Sequence, residues 1–223
     1  MKKLDLQLKN CEAVNPVKEY FLSLPKWQMS EKSHIKELAD TIKCRIGSDR
    51  WEESLRRWLV GCVSNVFEED RCTNQVMLVL TGAQGSYKTT WLEHLCPLEL
   101  RYFHLYSGKW FDPTDKEADM LISDCFIINI EDLGQRNRKY EEELRNMITK
   151  SRVKYRRPYD IQIREYPHMA SFCGSVNGND FLPDPSGSRC YLLFEAEEID
   201  IGRATRLNMD YVWSEAYSLW KAG

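Results

Sequence analysis

The chain has 223 residues and a mass of 26.3 kDa, with 43% hydrophobic and 29% charged residues, a balance that excludes wholesale disorder and leaves room for one good-sized domain or two small ones. A mean hydropathy of −0.53 and the lack of any apolar run of about 18 residues exclude a membrane-spanning helix, and the opening MKKLDLQLKN has no apolar core of the kind a secretory signal needs. The formal net charge of −3 excludes nucleic-acid binding by bulk basicity, so any such binding must come from a local patch.

In chain order, Asn15-Pro16 reads as a helix start, a capping side chain followed by proline in the first turn. Residues 17–24 then place Val17, Tyr20, Phe21 and Leu24 on one face. Helical patterns are expected over 31–45 and over 49–67, the latter with Trp51, Leu55, Trp58, Leu59, Cys62 and Val66 at helical spacing. The pattern changes at Gln75: VMLVLTG (76–82) looks like a buried parallel strand, and a helix is expected over 88–95, before Pro97. A short helix over 114–122, a buried strand over 125–133 and an amphipathic helix over 138–150 come next. Residues 159–166 alternate as a strand or hairpin arm, 169–177 and 190–196 read as buried strands, and a helix from 208 carries Met209, Val212, Trp213, Ala216, Leu219 and Trp220 on one face. Strands alternating with helices predict an α/β fold with a parallel sheet. A helical region over 1–74 is expected to pack on a core over 75–223.

The eight cysteines include no CxxC pair, and the four histidines stand apart from them in sequence. Free thiols in a reducing cytoplasm are therefore expected, rather than a disulfide framework or a zinc site.

GAQGSYKTT (82–90) lies between a predicted strand and a predicted helix, the context a phosphate-binding loop requires. Backbone N–H groups of Gly82, Ala83, Gln84, Gly85, Ser86, Tyr87, Lys88, Thr89 and Thr90 would cradle phosphates. Lys88 would reach the β- and γ-phosphates of ATP, and the Thr89 hydroxyl would hold Mg²⁺. The loop departs from GxxxxGK[ST] at Tyr87, where the motif has glycine.

Nucleotide hydrolysis also needs an acid at a neighbouring strand end, and IINIEDL supplies Glu131 and Asp132. Glu131 takes the metal side and Asp132 the water side, in the reverse of the usual Asp-Glu order. Asn177, at the end of the next apolar strand, suits a contact to the γ-phosphate or the attacking water, and equally a turn before Gly178. Lys150, Arg152, Lys154, Arg156 and Arg157, interleaved with two tyrosines in KSRVKYRRPY, form the one basic segment of an acidic chain, fit to grip nucleic-acid phosphates or to form a solvated or salt-bridged face. Arg189, after a glycine turn, suits an arginine finger offered to a neighbouring subunit, or a structural arginine.

Taken together and in order, these pieces resemble the virulence-associated protein E family of phage and mobile-element ATPases, related to superfamily 3 helicases of the AAA+ class. NPVKEYFLSLPKW is similar to the family's opening, GAQGSYKTT to its GxQGxGKST loop, Lys116 in DKEAD to its downstream lysine, and INIEDL to its metal-binding strand. TKSRVKYRRPY resembles its Arg-Pro-Tyr motif, FCGSVNGNDFLPDPSGSRCYLLF its Asn-bearing signature, and YVWSEAYSLW its W-x-E-A helix. The resemblance implies a P-loop NTPase fold and nucleotide phosphates at Gly82, Gly85 and Lys88. It also implies Mg²⁺ at Thr89 and Glu131, catalysis at Asp132, a sensor at Asn177 and a trans-acting Arg189. Cys190 stands where the family has a second arginine. The resemblance further implies a homo-oligomeric ring, a hexamer, moving on single-stranded DNA during replication of a phage or mobile element. The motifs leave no length for a primase or origin-binding domain, so DNA specificity is expected from a partner protein or a longer chain. A nucleotide-gated assembly module with little turnover is the alternative, motivated by Tyr87 and Cys190, and a small-molecule P-loop kinase is a weaker third.

Overall fold

The computed structural model describes residues 14–29, 32–45, 48–178 and 190–223. Helix α1 (Pro16–Ser23) starts as its sequence dictates: the Asn15 side chain accepts from the backbone N–H groups of Val17 and Lys18 at 3.0 and 3.3 Å, and Pro16 occupies the first turn. Next come α2 (His34–Ala39), β1 (Ile42–Cys44), α3 (Ser48–Phe67), β2 (Met77–Gly82), α4 (Lys88–His94), α5 (Leu98–His104), β3 (Leu105–Gly108), α6 (Lys116–Asp124) and β4 (Ile127–Ile130). A 3₁₀ turn (Leu133–Gln135) leads to α7 (Arg138–Thr149), β5 (Arg152–Tyr155), β6 (Arg164–Pro167), β7 (Ser171–Asn177), β8 (Tyr191–Ile199), α8 (Ile201–Ala204) and α9 (Met209–Ala222).

Six strands form one sheet in the order β1-β8-β2-β7-β4-β3. The five from β8 to β3 run parallel, and only β1 is antiparallel, on the β8 edge. Because side chains alternate across a strand, β2 sends Leu78 and Leu80 to one face and Met77 and Val79 to the other. The first face packs on Phe21 of α1, Trp58 of α3, Trp91 of α4 and Trp213 of α9. The second packs on Ile122 of α6 and on Leu144 and Ile148 of α7. With helices on both faces, β2, β4 and β7 are buried along almost their whole length. Gly174 in β7 is what lets the central strands and the turn after β4 close up: a Cβ there would lie 2.5 Å from the Ile130 carbonyl oxygen and 2.7 Å from the side chains of Leu133 and Met77.

Three sequence expectations need correction. The helix expected over 31–45 ends at Ala39, and Ile42–Cys44 joins the sheet as β1, its alternating burial matching an edge strand. The strand expected to reach residue 133 stops at Ile130, because Asp132 turns the chain with φ 51°. The arm expected over 159–166 is shorter, Arg164–Pro167, and pairs antiparallel with Arg152–Tyr155, which the basic composition concealed. Helix α5 and strand β3 are not foreshadowed by any sequence pattern; β3 is a half-buried edge strand without an apolar run. None of the described helices is long and apolar enough to cross a membrane.

Candidate functional site

The carboxyl ends of β2, β7 and β4 are neighbours in the sheet, so the segments that leave these three strands converge at one edge. Loop 83–87 leaves β2, Asn177 ends β7, and Glu131-Asp132 leave β4. In open parallel sheets this edge, at a point where the strand order jumps, is where ligands bind. A cavity of about 320 Å³ lies there, lined by the loop from Gln84 to Thr90 and by Lys109, Glu131, Asp132, Ser175 and Asn177.

The loop is built on backbone conformations that L residues avoid. Gly82 has φ 143° and passes so close to β8 that a Cβ would sit 2.6 Å from the Ala196 carbonyl oxygen, and Gly85 has φ 78°. Tyr87, at φ 63°, takes the left-handed conformation that the motif's glycine would adopt without strain. Its ring points outward, 57% exposed, so the departure from the motif leaves the loop's path intact.

Lys88 is 4% exposed and lies across its own loop. Its Nζ donates to the carbonyl oxygens of Gly82 (3.1 Å) and Ala83 (2.6 Å), to Ser86 Oγ (3.2 Å) and to Asn177 Oδ1 (3.4 Å). Burial pulls its ammonium below the ordinary lysine range, against the opposing pull of the Asp132 carboxylate. Asn177 Nδ2 donates to Asp132 Oδ1 at 2.7 Å. Asn177 therefore bridges loop lysine and acid, its amide oxygen facing the ammonium and its nitrogen the carboxylate, the only amide orientation both neighbours accept. Thr89 Oγ1 is 3.1 Å from Ser175 Oγ on β7. The Glu131 N–H donates to the Gly108 carbonyl oxygen at 3.1 Å, continuing the β3–β4 ladder to the strand ends.

The structure thus brings Lys88, Thr89, Glu131, Asp132 and Asn177 together. Two further cavity residues carry no sequence signal. Ser175 is hidden inside an apolar strand, and Lys109 sits in a segment with no motif; its Nζ lies 2.6 Å from Asp132 Oδ2. Arg189 lies outside the described residues, and Cys190, half-buried, precedes β8.

The basic segment does not line this cavity. It forms β5 and the start of the β5–β6 turn, and most of its cations meet acids of the same chain. Lys150 pairs with Asp119 at 2.9 Å, Arg152 and Lys154 with Glu165 at 3.5 and 3.7 Å, and Arg157 with Asp124 at 2.6 Å. Arg157 also lies over the Tyr166 ring, 4.9 Å from its centroid, Tyr166 stacks on Tyr155, and the Tyr155 hydroxyl lies 2.6 Å from Ser123 Oγ of α6, so Tyr155 and Arg157 hold the hairpin to the body. What reaches solvent is the turn: Arg156, Tyr159, Ile161 and Ile163 are all exposed. The seven described cysteines are free thiols, and no group of three or more metal-ligating side chains is found among the described residues.

The chain is similar in fold to the C-terminal region (305–718) of NrS-1 in its apo form, at 15% identity over 90% of this chain and 47% of that one, with a TM-score of 0.55. It is also similar to the A form apo structure of the same region, at 14% identity over 89% and 48% of the two chains, with a TM-score of 0.60. The chain spans about half the length of these solved regions. No curated protein matches it significantly. The profile of the virulence-associated protein E-like domain matches residues 23–223, nearly the whole chain, and the chain belongs to that family.

Proposed function

We propose that the cavity binds and hydrolyses ATP, and that the protein is a P-loop motor of the superfamily 3 helicase type acting on single-stranded DNA in replication. The observation that carries this reading is the convergence of a lysine-bearing glycine loop, two acids and an asparagine on one cavity at the ends of three adjacent parallel strands. Lys88 sits where it can trade its carbonyl partners for phosphate oxygens, a stronger charge-assisted contact. Thr89 and Glu131 offer the hard oxygen donors that Mg²⁺ prefers, with the nucleotide's own phosphates completing its shell. When bound, Mg²⁺ neutralises charge on the β- and γ-phosphates. Asp132 accepts the proton of the attacking water, and Asn177 fixes that carboxylate against the loop.

A homo-oligomeric ring, a hexamer, is part of this reading, with Arg189 reaching a neighbouring subunit's nucleotide. So is a partner protein supplying DNA specificity. For DNA, the hairpin turn replaces the full basic segment as the contact: Arg156 for a phosphate and Tyr159 for stacking on a base. Tyr159→Ala is expected to weaken single-stranded DNA binding roughly tenfold, read by fluorescence anisotropy at fixed salt, whereas Lys150→Ala, whose ammonium is already paired, changes it far less.

Phosphate release, measured with and without single-stranded DNA, tests the reading as a whole: stimulation by DNA supports the motor, and equal rates count against it. A second reading, nucleotide-gated assembly with little turnover, is favoured by one observation, the engagement of both Asp132 oxygens by Lys109 and Asn177. Robust turnover lost in Asp132→Ala would sink it.

A further inference from the structure

Lys109 occupies a position that neither the loop motif nor the acid pair explains. It is the first residue after the edge strand β3, whose Gly108 pairs with Ile130 of β4, so Lys109 emerges directly beside Glu131 and Asp132. The Glu131 N–H bond to the Gly108 carbonyl oxygen fixes that register. The Lys109 main chain is tied down from the other side as well, because the Arg136 guanidinium donates to its carbonyl oxygen while lying 4.8 Å from the centroid of the Tyr140 ring. The main chain is anchored, while the side chain is 56% exposed and lines the same cavity as Lys88.

Asp132 is held from two sides. Lys109 Nζ takes Oδ2 at 2.6 Å and Asn177 Nδ2 takes Oδ1 at 2.7 Å. The hydrogen bond to Asp132 holds the Lys109 ammonium above the ordinary lysine range, with Glu131 adding to the pull. A half-exposed ion pair of this kind is cheap to exchange. A terminal phosphate entering the cavity carries more charge than a carboxylate and offers more acceptor oxygens.

We propose that Lys109 is a positioning residue that exchanges its ammonium between Asp132 and the terminal phosphate of a nucleoside triphosphate. A triphosphate frees Asp132 Oδ2, and a diphosphate, which lacks the competing group, leaves the clamp closed. The protein thereby senses which nucleotide it holds and withholds its proton acceptor until the triphosphate is in place. This rests on the cavity being a nucleotide site.

The test is an equilibrium titration of the full chain with fluorescent analogues of ATP and ADP in Mg²⁺. Lys109→Gln should lose roughly tenfold in affinity for the triphosphate and keep its affinity for the diphosphate. Asp132→Asn, which releases Lys109 from its carboxylate, should gain several-fold for the triphosphate alone, and Lys109→Arg should keep the wild-type preference. A triphosphate-to-diphosphate ratio that is the same in wild type, Lys109→Gln and Asp132→Asn overturns the exchange. If those nucleotides bind and Lys88→Ala abolishes binding, the unchanged ratio sinks Lys109 alone. If the wild-type protein binds neither nucleotide, the site reading falls and the exchange falls with it.

Discussion

Glu215→Ala is expected to lower the unfolding midpoint more than any surface substitution, by about 3 kcal/mol, or roughly 6–12 °C for a chain of this size. Glu215 lies on α9 and is 2% exposed, yet its carboxylate is fully employed. It accepts from Ser33 Oγ at 2.7 Å, from the His34 N–H at 2.6 Å and from the Ile35 N–H at 3.0 Å. Those two backbone donors belong to the first turn of α2, where a helix has N–H groups with no partner of their own. Ser33 in turn caps the same helix, accepting from the Lys36 N–H at 3.1 Å. One buried carboxylate thus ties the start of α2 to the last helix of the chain, and alanine leaves the buried Ile35 N–H and the partly buried His34 N–H without an acceptor. Glu215→Gln, which keeps an acceptor but loses the charge, should cost about half as much. Lys43→Ala, at an exposed ion pair with Glu197, should leave the midpoint within error, and thermal melts of the three variants give the comparison.

Asp132→Asn is expected to slow ATP turnover by roughly two to four orders of magnitude without weakening nucleotide binding, because it removes the proposed proton acceptor and keeps the side chain's shape. Glu131→Gln should behave differently: its turnover loss should be partly recovered at high Mg²⁺, since its proposed role is on the metal side. The pair of variants decides which acid does which job, a matter the reversed order of Glu131-Asp132 leaves open in the sequence. The geometry favours Asp132 for the water, because Asn177 fixes it toward the loop at 2.7 Å. Steady-state phosphate release at several Mg²⁺ concentrations reads both effects.

Much of the fold and the site is legible from residue types and spacing. The loop, its flanking strand and helix, and the acid pair are local signals: β2 is an unbroken apolar run, and Gly82 and Gly85 carry positive φ as their positions demand. Asn177 is legible as a polar end to an apolar strand, though its bridging role depends on β7 lying between β2 and β4. The W-x-E-A pattern of the closing helix is visible, but its physical cause is not, since the partners of Glu215 lie about 180 residues away in sequence. Lys109 has no local signal, because its meaning comes only from the pairing of β3 with β4, and an edge strand such as LYSG carries no apolar run to announce it. The basic segment misleads in a different way. Composition counts five cations, whereas Asp119, Asp124 and Glu165, spread over other elements, take up four of them.

The most direct test of the nucleotide site is an equilibrium titration of ATP with Mg²⁺ against the wild-type chain and Lys88→Ala. Losing a buried ammonium that contacts phosphates should weaken binding roughly thirtyfold or more, with the fold intact by circular dichroism. Saturable binding in the wild type that collapses in Lys88→Ala is the predicted result. Equal affinities in the two proteins, or no binding in the wild type, would contradict the assignment of this cavity as a nucleotide site.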